Sequence, residues 1–141
     1  MNIQLLRADI NSLKVDAIVA PTDPQAHGAD ARAVVVTGGN LLARFVIHVP
    51  VPEVTEDDAD AKLRAATLAA LERAEELAVA SVGLPAIASA FGFEPERCAR
   101  VMLDATRQYQ SRARSLQRAV FCLFGKEEYA IFERVLGESK A

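Results

Sequence analysis

The chain has 141 residues and a mass of 15.2 kDa, room for one domain, so residues 1–141 are treated as a single domain. Hydrophobic residues make up 51% and charged residues 25% of the sequence, a balance that argues against intrinsic disorder. The net charge of −3 excludes a generally basic coat for nucleic acid, and the apolar runs are too short to cross a membrane. Cys98 and Cys122 lie far apart in apolar stretches, which predicts reduced thiols in a cytoplasmic protein.

The first half of the chain predicts four short strands. Apolar runs predict strands over Ile3–Leu6 and Val15–Val19, and Pro21 is expected to end the second because proline donates no ladder hydrogen bond. The β-branched runs Ala33–Thr37 and Arg44–Val49 flank a Gly-Gly-Asn turn. This pattern predicts a hairpin, so the sheet is expected to be mixed.

The second half alternates helices and strands. Apolar residues at helical spacing run from about Asp58 to Ala80, and Gly83 is expected to separate this helix from the next strand. The later predicted elements are a strand over Val82–Ile87, a helix from Pro95 to Tyr109, a strand over Leu116–Phe124 and a helix over Glu127–Leu136. This alternation favours parallel strands covered by helices. The predicted fold class is α/β, three layers (α/β/α) around a mixed central sheet.

In such sheets, ligands bind outside the carboxyl ends of the strands. Three predicted loops lie at that edge: Asp9-Ile10 after the first strand, residues 20–28 after the second, and Ala88–Gly92 after the fifth. The third leads from a strand into a helix N-terminus, where free amide groups and the helix dipole favour an anion. The sequence therefore predicts a phosphate loop at Ala88–Gly92.

Two interpretations of this loop stay open. Ser89 would add a hydroxyl group to a phosphate site, and Gly92 would let the backbone approach the ligand closely. Against this, Glu94 and Glu96 stand at the start of the following helix and would repel a phosphate. In that case the loop is a mere connector.

Motifs of common catalytic and metal sites are absent from the sequence. His27 and His48 have no Cys or His partner at ligand spacing, and the chain has no Walker loop, dinucleotide fingerprint or nucleophile elbow. The acidic run over residues 53–60 is expected to be a solvated loop rather than a metal cluster. The sequence therefore predicts no metal and no cofactor.

A stripe of arginines follows this region. Six arginines lie between Arg97 and Arg118, and Arg100, Arg107 and Arg114 recur every seven residues, so they would share a helix face if the helix extends that far. The stripe is either a solvated helix face, which we favour, or a contact for nucleic-acid phosphates.

Four segments together resemble the macro domain family. Leu6–Val19 resembles its opening, a Gly-Asp-Ile triplet, a polar turn and Val-Asp-Ala-Ile-Val, and Ala33–Pro52 is similar to its hairpin. Leu84–Met102 resembles its Pro-x-Ile strand, phosphate loop and helix, and Leu123–Leu136 its last strand end and helix. The resemblance covers nearly the whole chain in the right order. It implies a three-layer α/β/α module that binds ADP-ribose.

The resemblance also implies which residues would contact the ligand. Asp9 and Ile10 match positions that hold adenine, with the Asp9 carboxylate accepting from the exocyclic amine. Phe124 matches a position near the adenine face, where its ring would stack. The candidate contacts from the phosphate loop are Ser89, Ala90, Phe91 and Gly92. This loop is one residue short, with Ala90 near a family glycine.

The chain departs from the family at the distal end of the site. The family's Asn-Ala-Ala-Asn is replaced by residues 20–23, Ala-Pro-Thr-Asp, so both asparagines are absent. Asp23 would accept from ribose hydroxyls but has no amide to donate. Only Pro24–Arg32 precedes the next strand, too few residues for the Gly-rich loop and helix that cover the diphosphate in the family.

Three functions follow from these features. The favoured hypothesis is a macro-domain-like module that binds ADP-ribose or a related adenine nucleotide, weakly and without catalysis. The alternative is a degenerate site in a structural or protein-interaction module, expected to be a homodimer formed through apolar surface uncovered around Val15–Ala20. ADP-ribosyl hydrolysis is less favoured because both asparagines are replaced, so no catalytic residue is assigned.

Overall fold

The computed structural model describes residues 1–22, 32–35 and 42–138, with 32–35 described for the backbone alone. The strands are β1 (Asn2–Leu6), β2 (Ala17–Thr22), β3 (Arg32–Val35), β4 (Phe45–Pro50), β5 (Ser81–Leu84) and β6 (Arg118–Cys122). The α-helices are α1 (Ala59–Glu76), α2 (Pro95–Tyr109) and α3 (Lys126–Glu138), and single 3₁₀ turns form at Ile10–Ser12 and Ser89–Phe91.

The strands form one mixed sheet in the order β1-β6-β5-β2-β4-β3. Neighbouring strands are parallel except β3 and β4, which pair antiparallel from Arg32 opposite His48 to Val35 opposite Phe45. The predicted α/β class and mixed sheet are therefore confirmed. The Gly-Gly-Asn turn itself lies outside the described residues.

The three helices cover one face of this sheet. Ala17 and Val19 of β2 join the buried residues of all three helices in one large core cluster. Ile18, between them, joins a second cluster with Leu13 and Ala43. Because alternate side chains of a strand point to opposite faces, the second cluster lies on the other face. Among the described residues, that face is covered by the segments 7–16 and 42–44.

The apolar surface expected to be uncovered around Val15–Ala20 is mostly buried. Val15, Ile18 and Val19 keep only 6%, 5% and 2% of their exposure. The expectation of an open patch here is wrong because residues before β2 fold back across the sheet, where Leu13 packs with Val15 and Ile18.

Pro21 lies inside β2 and does not end the strand. The carbonyl of Thr22 accepts from the amide of Val51, 3.1 Å away, so Thr22 bonds toward β4. Since successive residues of a strand bond to opposite sides, Pro21 faces β5. β2 pairs with β5 only through Ala17 and Ile18, so the missing N–H costs no ladder bond. Beyond these residues β2 and β5 are no longer paired.

Gly83 lies within β5 and does not end the preceding helix. The chain leaves α1 at Ala78, which has a left-handed φ of 57°, and the amide of Val79 then approaches the carbonyl of Ala74. At Gly83 a Cβ atom would lie 2.7 Å from Leu13 Cδ2. Glycine therefore leaves room for Leu13, and a larger residue at position 83 would require that side chain to shift.

The arginine stripe makes ion pairs between helices. Arg97 pairs with Asp60 of α1 at 2.6 Å, and Arg100 pairs with Glu138 of α3 at 2.9 Å. Because α2 ends at Tyr109, Arg114 does not continue the helix face that the seven-residue spacing predicts. Each exposed ion pair of this kind contributes at most about 1 kcal/mol to the free energy of unfolding.

Glu75, near the end of α1, holds the loop before β6 against the helices. Its carboxylate accepts from the amides of Arg114 at 2.7 Å and Ser115 at 2.6 Å, and from the Ser115 hydroxyl. Burial by itself would raise the pKa of Glu75, but these hydrogen bonds and one from the Leu116 amide outweigh it and lower the pKa to about 2.

We expect Glu75→Gln to lower the free energy of unfolding at pH 7 by about 1 kcal/mol, since the hydrogen-bonded charge is lost. The carboxylate stabilises the fold above its unfolded pKa of 4.5, and this contribution is lost as the pH falls toward 2. Urea unfolding between neutral pH and pH 2 should therefore show the two proteins converging at acid pH. Glu76→Gln, which removes an exposed partner of Arg73, is the control. A difference as large at pH 2 as at pH 7 would contradict the prediction.

Candidate functional site

A cleft of about 510 Å³ opens at the carboxyl ends of the parallel strands, beside the point where β2 and β5 part. Pro21 of β2 and Pro85, directly after β5, both line it. Neither residue has an amide hydrogen to bridge the two strands. The cleft therefore lies at the sheet edge where the sequence predicts ligand binding.

Asp9 and Ile10 line this cleft next to the end of β1. Asp9 caps the first 3₁₀ turn: its Oδ1 accepts from the amide of Asn11 at 2.9 Å, and its carbonyl accepts from the Ser12 hydroxyl at 2.8 Å. These bonds orient an exposed carboxylate at the rim. Since Oδ1 is engaged in the cap, Oδ2 is the oxygen best placed to accept from a ligand.

Phe124 lines the same cleft just after β6 and is 75% exposed. Its carbonyl accepts from Nε of Arg7 at 3.4 Å, which ties the residue to the chain that leaves β1. A phenyl ring left in water is unfavourable. Its face can be covered by a planar ligand such as a nucleobase.

The loop Ala88–Gly92 contributes Ser89 and Ala90 to the cleft lining. The amides of Ser89 and Phe91 donate to backbone carbonyls at 3.2 and 3.0 Å within this 3₁₀ turn. Within the described part of the chain, no carbonyl accepts from the amide of Ala90. Because Ala90 lines the cleft, its amide is a candidate donor to a ligand there.

Phe91 and Gly92 shape the loop and are not among the described residues that line the cleft. Phe91 packs against the main core, and its carbonyl accepts from the amide of Val54 at 3.0 Å. Gly92 has a φ of 92°, and a Cβ atom there would lie 2.7 Å from Val54 Cγ1. A side chain at position 92 would therefore be disfavoured both by the left-handed backbone conformation and by the contact with Val54.

Among the cleft residues that the sequence reasoning missed, two have side chains that can ionise, Glu128 and Cys122. Glu128, in the first turn of α3, accepts a hydrogen bond from the Ser89 hydroxyl at 3.2 Å. Cys122 ends β6, and its thiol donates to the carbonyl of Ala8 at 2.9 Å, while burial raises the pKa of this thiol. The sequence could have indicated Glu128, because the helix that follows β6 begins at the sheet edge where the cleft lies.

Asp23 and His27 lie outside the described residues. In the part of the chain that is described, no group of three or more His, Cys, Asp or Glu side chains is arranged to hold a metal ion. None of the described helices is both long and apolar enough to cross a bilayer.

These features define a class of protein. A cleft at the ends of parallel strands, with an oriented carboxylate, an exposed aromatic ring and a short loop leading into a helix, is typical of an α/β module that binds a small molecule. The family model of the macro domain matches residues 17–102, more than half of the chain, so the chain belongs to the macro domain family.

Relatives with similar sequences occur in archaea. A protein of Sulfolobus acidocaldarius is 36% identical over 106 residues, which cover 74% of this chain and 57% of that protein. A protein of Saccharolobus solfataricus is 27% identical over 166 aligned positions, covering 96% of this chain and 92% of that protein. Because these positions outnumber the 141 residues of the chain, that relative has residues with no counterpart here.

Solved structures share the fold. The Trypanosoma brucei macrodomain in complex with ADP matches with a TM-score of 0.82 at 22% identity, covering 96% of this chain and 69% of that one. The Oceanobacillus iheyensis macrodomain with MES bound matches with a TM-score of 0.81 at 17% identity, covering 98% of this chain and 90% of that one. At these identities the likeness shows the fold alone.

Proposed function

We propose that this macro domain binds ADP-ribose or a related adenine nucleotide in the cleft beside β2 and β5, weakly and without catalysis. The observation that carries the proposal is that one cleft brings together Asp9, Ile10 and Phe124 with Ser89 and Ala90. These residues come from three distant parts of the sequence. The resemblance assigns the first three to adenine and the last two to phosphate.

Each contact has a chemical reason. The Oδ2 atom of Asp9 would accept from the exocyclic amine of adenine, and Phe124 would stack on the base. The amide of Ala90 would donate to a phosphate oxygen. The T. brucei macrodomain, whose structure holds ADP, supports an adenine nucleotide as the class of ligand.

Weak binding without catalysis is supported by what the sequence lacks. Both asparagines of the family motif are replaced in residues 20–23, and Pro24–Arg32 is too short for the loop and helix that cover the diphosphate. Asp23 remains the candidate acceptor for ribose hydroxyls.

Calorimetric titration with ADP-ribose, AMP and adenosine tests the proposal. We expect weak, saturable binding of these adenine ligands, and weaker binding of purine riboside, which lacks the exocyclic amine. Absence of saturable heat from all three adenine ligands would overturn the proposal. It would favour the alternative, a structural or interaction module, whose homodimer would then be sought by sedimentation.

A cytoplasmic location is proposed on the state of the cysteines. Cys98 and Cys122 are both free and buried. Burial raises the pKa of Cys98 to about 12, so its thiol stays protonated and unreactive at neutral pH. Two unpaired thiols in the core are typical of proteins in a reducing compartment.

A further inference from the structure

Glu128 places a negative charge on the loop that the family resemblance assigns to phosphate. The Ser89 hydroxyl donates to Oε2 of Glu128 at 3.2 Å, and both residues line the cleft. The Glu128 carboxylate also acts on the Cys98 thiol behind this loop, where it contributes to raising the pKa. The hydrogen bond from Ser89 therefore places the carboxylate beside residues 88–92.

The hydrogen bond from Ser89 removes a donor from the loop. A serine hydroxyl has one hydrogen, so while Ser89 donates to Glu128 it offers only lone pairs to a ligand. A phosphate oxygen needs donors, whereas a ribose hydroxyl can donate to the oxygens of Ser89 and Glu128. The loop therefore suits a hydroxyl group better than a phosphate group.

The charged residues that line the cleft also disfavour a phosphate group. Its described lining contains two carboxylates, Asp9 and Glu128, and no lysine or arginine. Arg7 lies close by but directs its Nε to the carbonyl of Phe124. The Glu128 carboxylate would therefore repel the phosphate of a ligand. No lysine or arginine in the described lining would offset this repulsion.

We propose that Glu128 is a specificity-determining residue that makes the cleft discriminate against phosphate and favour uncharged adenine nucleosides over AMP and ADP-ribose. The inference rests on the proposed function, because it concerns the same cleft. It gives a physical reason for weak binding of nucleotides that is separate from the shortened segment after β2.

The test compares Glu128→Gln with Glu127→Gln in titrations with adenosine, AMP and ADP-ribose. Glutamine keeps the shape of the side chain and can still accept from Ser89. Glu127 is exposed in the same turn of α3 and does not line the cleft, so its variant removes an equal charge without changing the lining. Circular dichroism and thermal unfolding verify that both variants fold.

We expect Glu128→Gln to raise the affinity for AMP and ADP-ribose about tenfold and to leave that for adenosine within about twofold. Glu127→Gln should change none of them appreciably. Three results would overturn the inference and leave the proposed function intact. The affinity for the nucleotides could rise equally in both variants, or the affinity for adenosine could rise as much as that for the nucleotides. The nucleotide affinity could also stay unchanged in a Glu128→Gln protein that binds adenosine. If neither the wild type nor the variants bind any of the three ligands, both proposals fail.

Discussion

Asp9→Asn is expected to weaken adenosine binding about 10- to 100-fold, the equivalent of one hydrogen bond to a charged group. Asparagine still accepts from the Asn11 amide through Oδ1, so the 3₁₀ turn keeps its cap. The atom that replaces Oδ2 is an NH₂ group, which would face the adenine amine with a second donor. The variant therefore removes the ligand contact and leaves the local fold in place, as calorimetry and thermal unfolding would show together.

The control for this prediction is Asp57→Asn. Asp57 is exposed and does not line the cleft, so its variant loses the same charge without losing the acceptor. Purine riboside gives a second control, because it has no exocyclic amine for Asp9 and its binding should change little in Asp9→Asn. Adenosine affinity that is unchanged in Asp9→Asn would contradict the assignment of this carboxylate to adenine.

Phe124→Ala is expected to weaken binding of every adenine ligand about tenfold, the lower part of the range measured when alanine replaces a ring stacked on a base. The ring is 75% exposed, so its removal should leave the thermal midpoint nearly unchanged. Calorimetry with adenosine, AMP and ADP-ribose measures the effect. Leu42→Ala is the matched control, since Leu42 is a 55% exposed apolar side chain that does not line the cleft.

The two variants also differ in which ligands they affect. Stacking depends on the aromatic face of the base, so Phe124→Ala should weaken purine riboside and adenosine alike. The contact of Asp9 depends on the exocyclic amine, so Asp9→Asn should weaken adenosine and leave purine riboside nearly unchanged. If Phe124→Ala leaves both affinities unchanged, the exposed ring has no part in binding and the adenine position must lie elsewhere in the cleft.

In the proposed site, the residues assigned to the base are present in the cleft, whereas the residues assigned to phosphate differ from the family pattern. Asp9 and Phe124, which the resemblance assigns to adenine, both line the cleft. At the other end, Ser89 donates to Glu128, and the amide of Ala90 is the candidate donor to phosphate. Recognition of the base therefore carries more of the proposed affinity than recognition of the diphosphate.

The sequence by itself determined the α/β class, the antiparallel pair β3–β4 and the order of helices and strands in the second half. These features depend on local information: alternation of apolar residues in strands, three- and four-residue spacing in helices, and glycine or proline at turns. Family motifs predicted ligand contacts at Asp9, Ile10, Phe124 and the loop Ala88–Gly92, and Asp9, Ile10, Phe124, Ser89 and Ala90 line the cleft. Short motifs identify such positions because the residues that form each of them are neighbours in the chain.

The tertiary structure alone decided several other features. Pro21 fits within β2 because β5 has already separated from that strand, and Gly83 lies where Leu13 packs closely against it. Glu128 meets Ser89 across 39 positions of sequence. Each of these features depends on contacts between residues that are distant in the chain. Local sequence patterns do not predict such contacts. The position of the cleft at this edge of the sheet was predictable from the order of strands. The negative charge of Glu128 inside the cleft depends on how α3 packs beside the loop that follows β5.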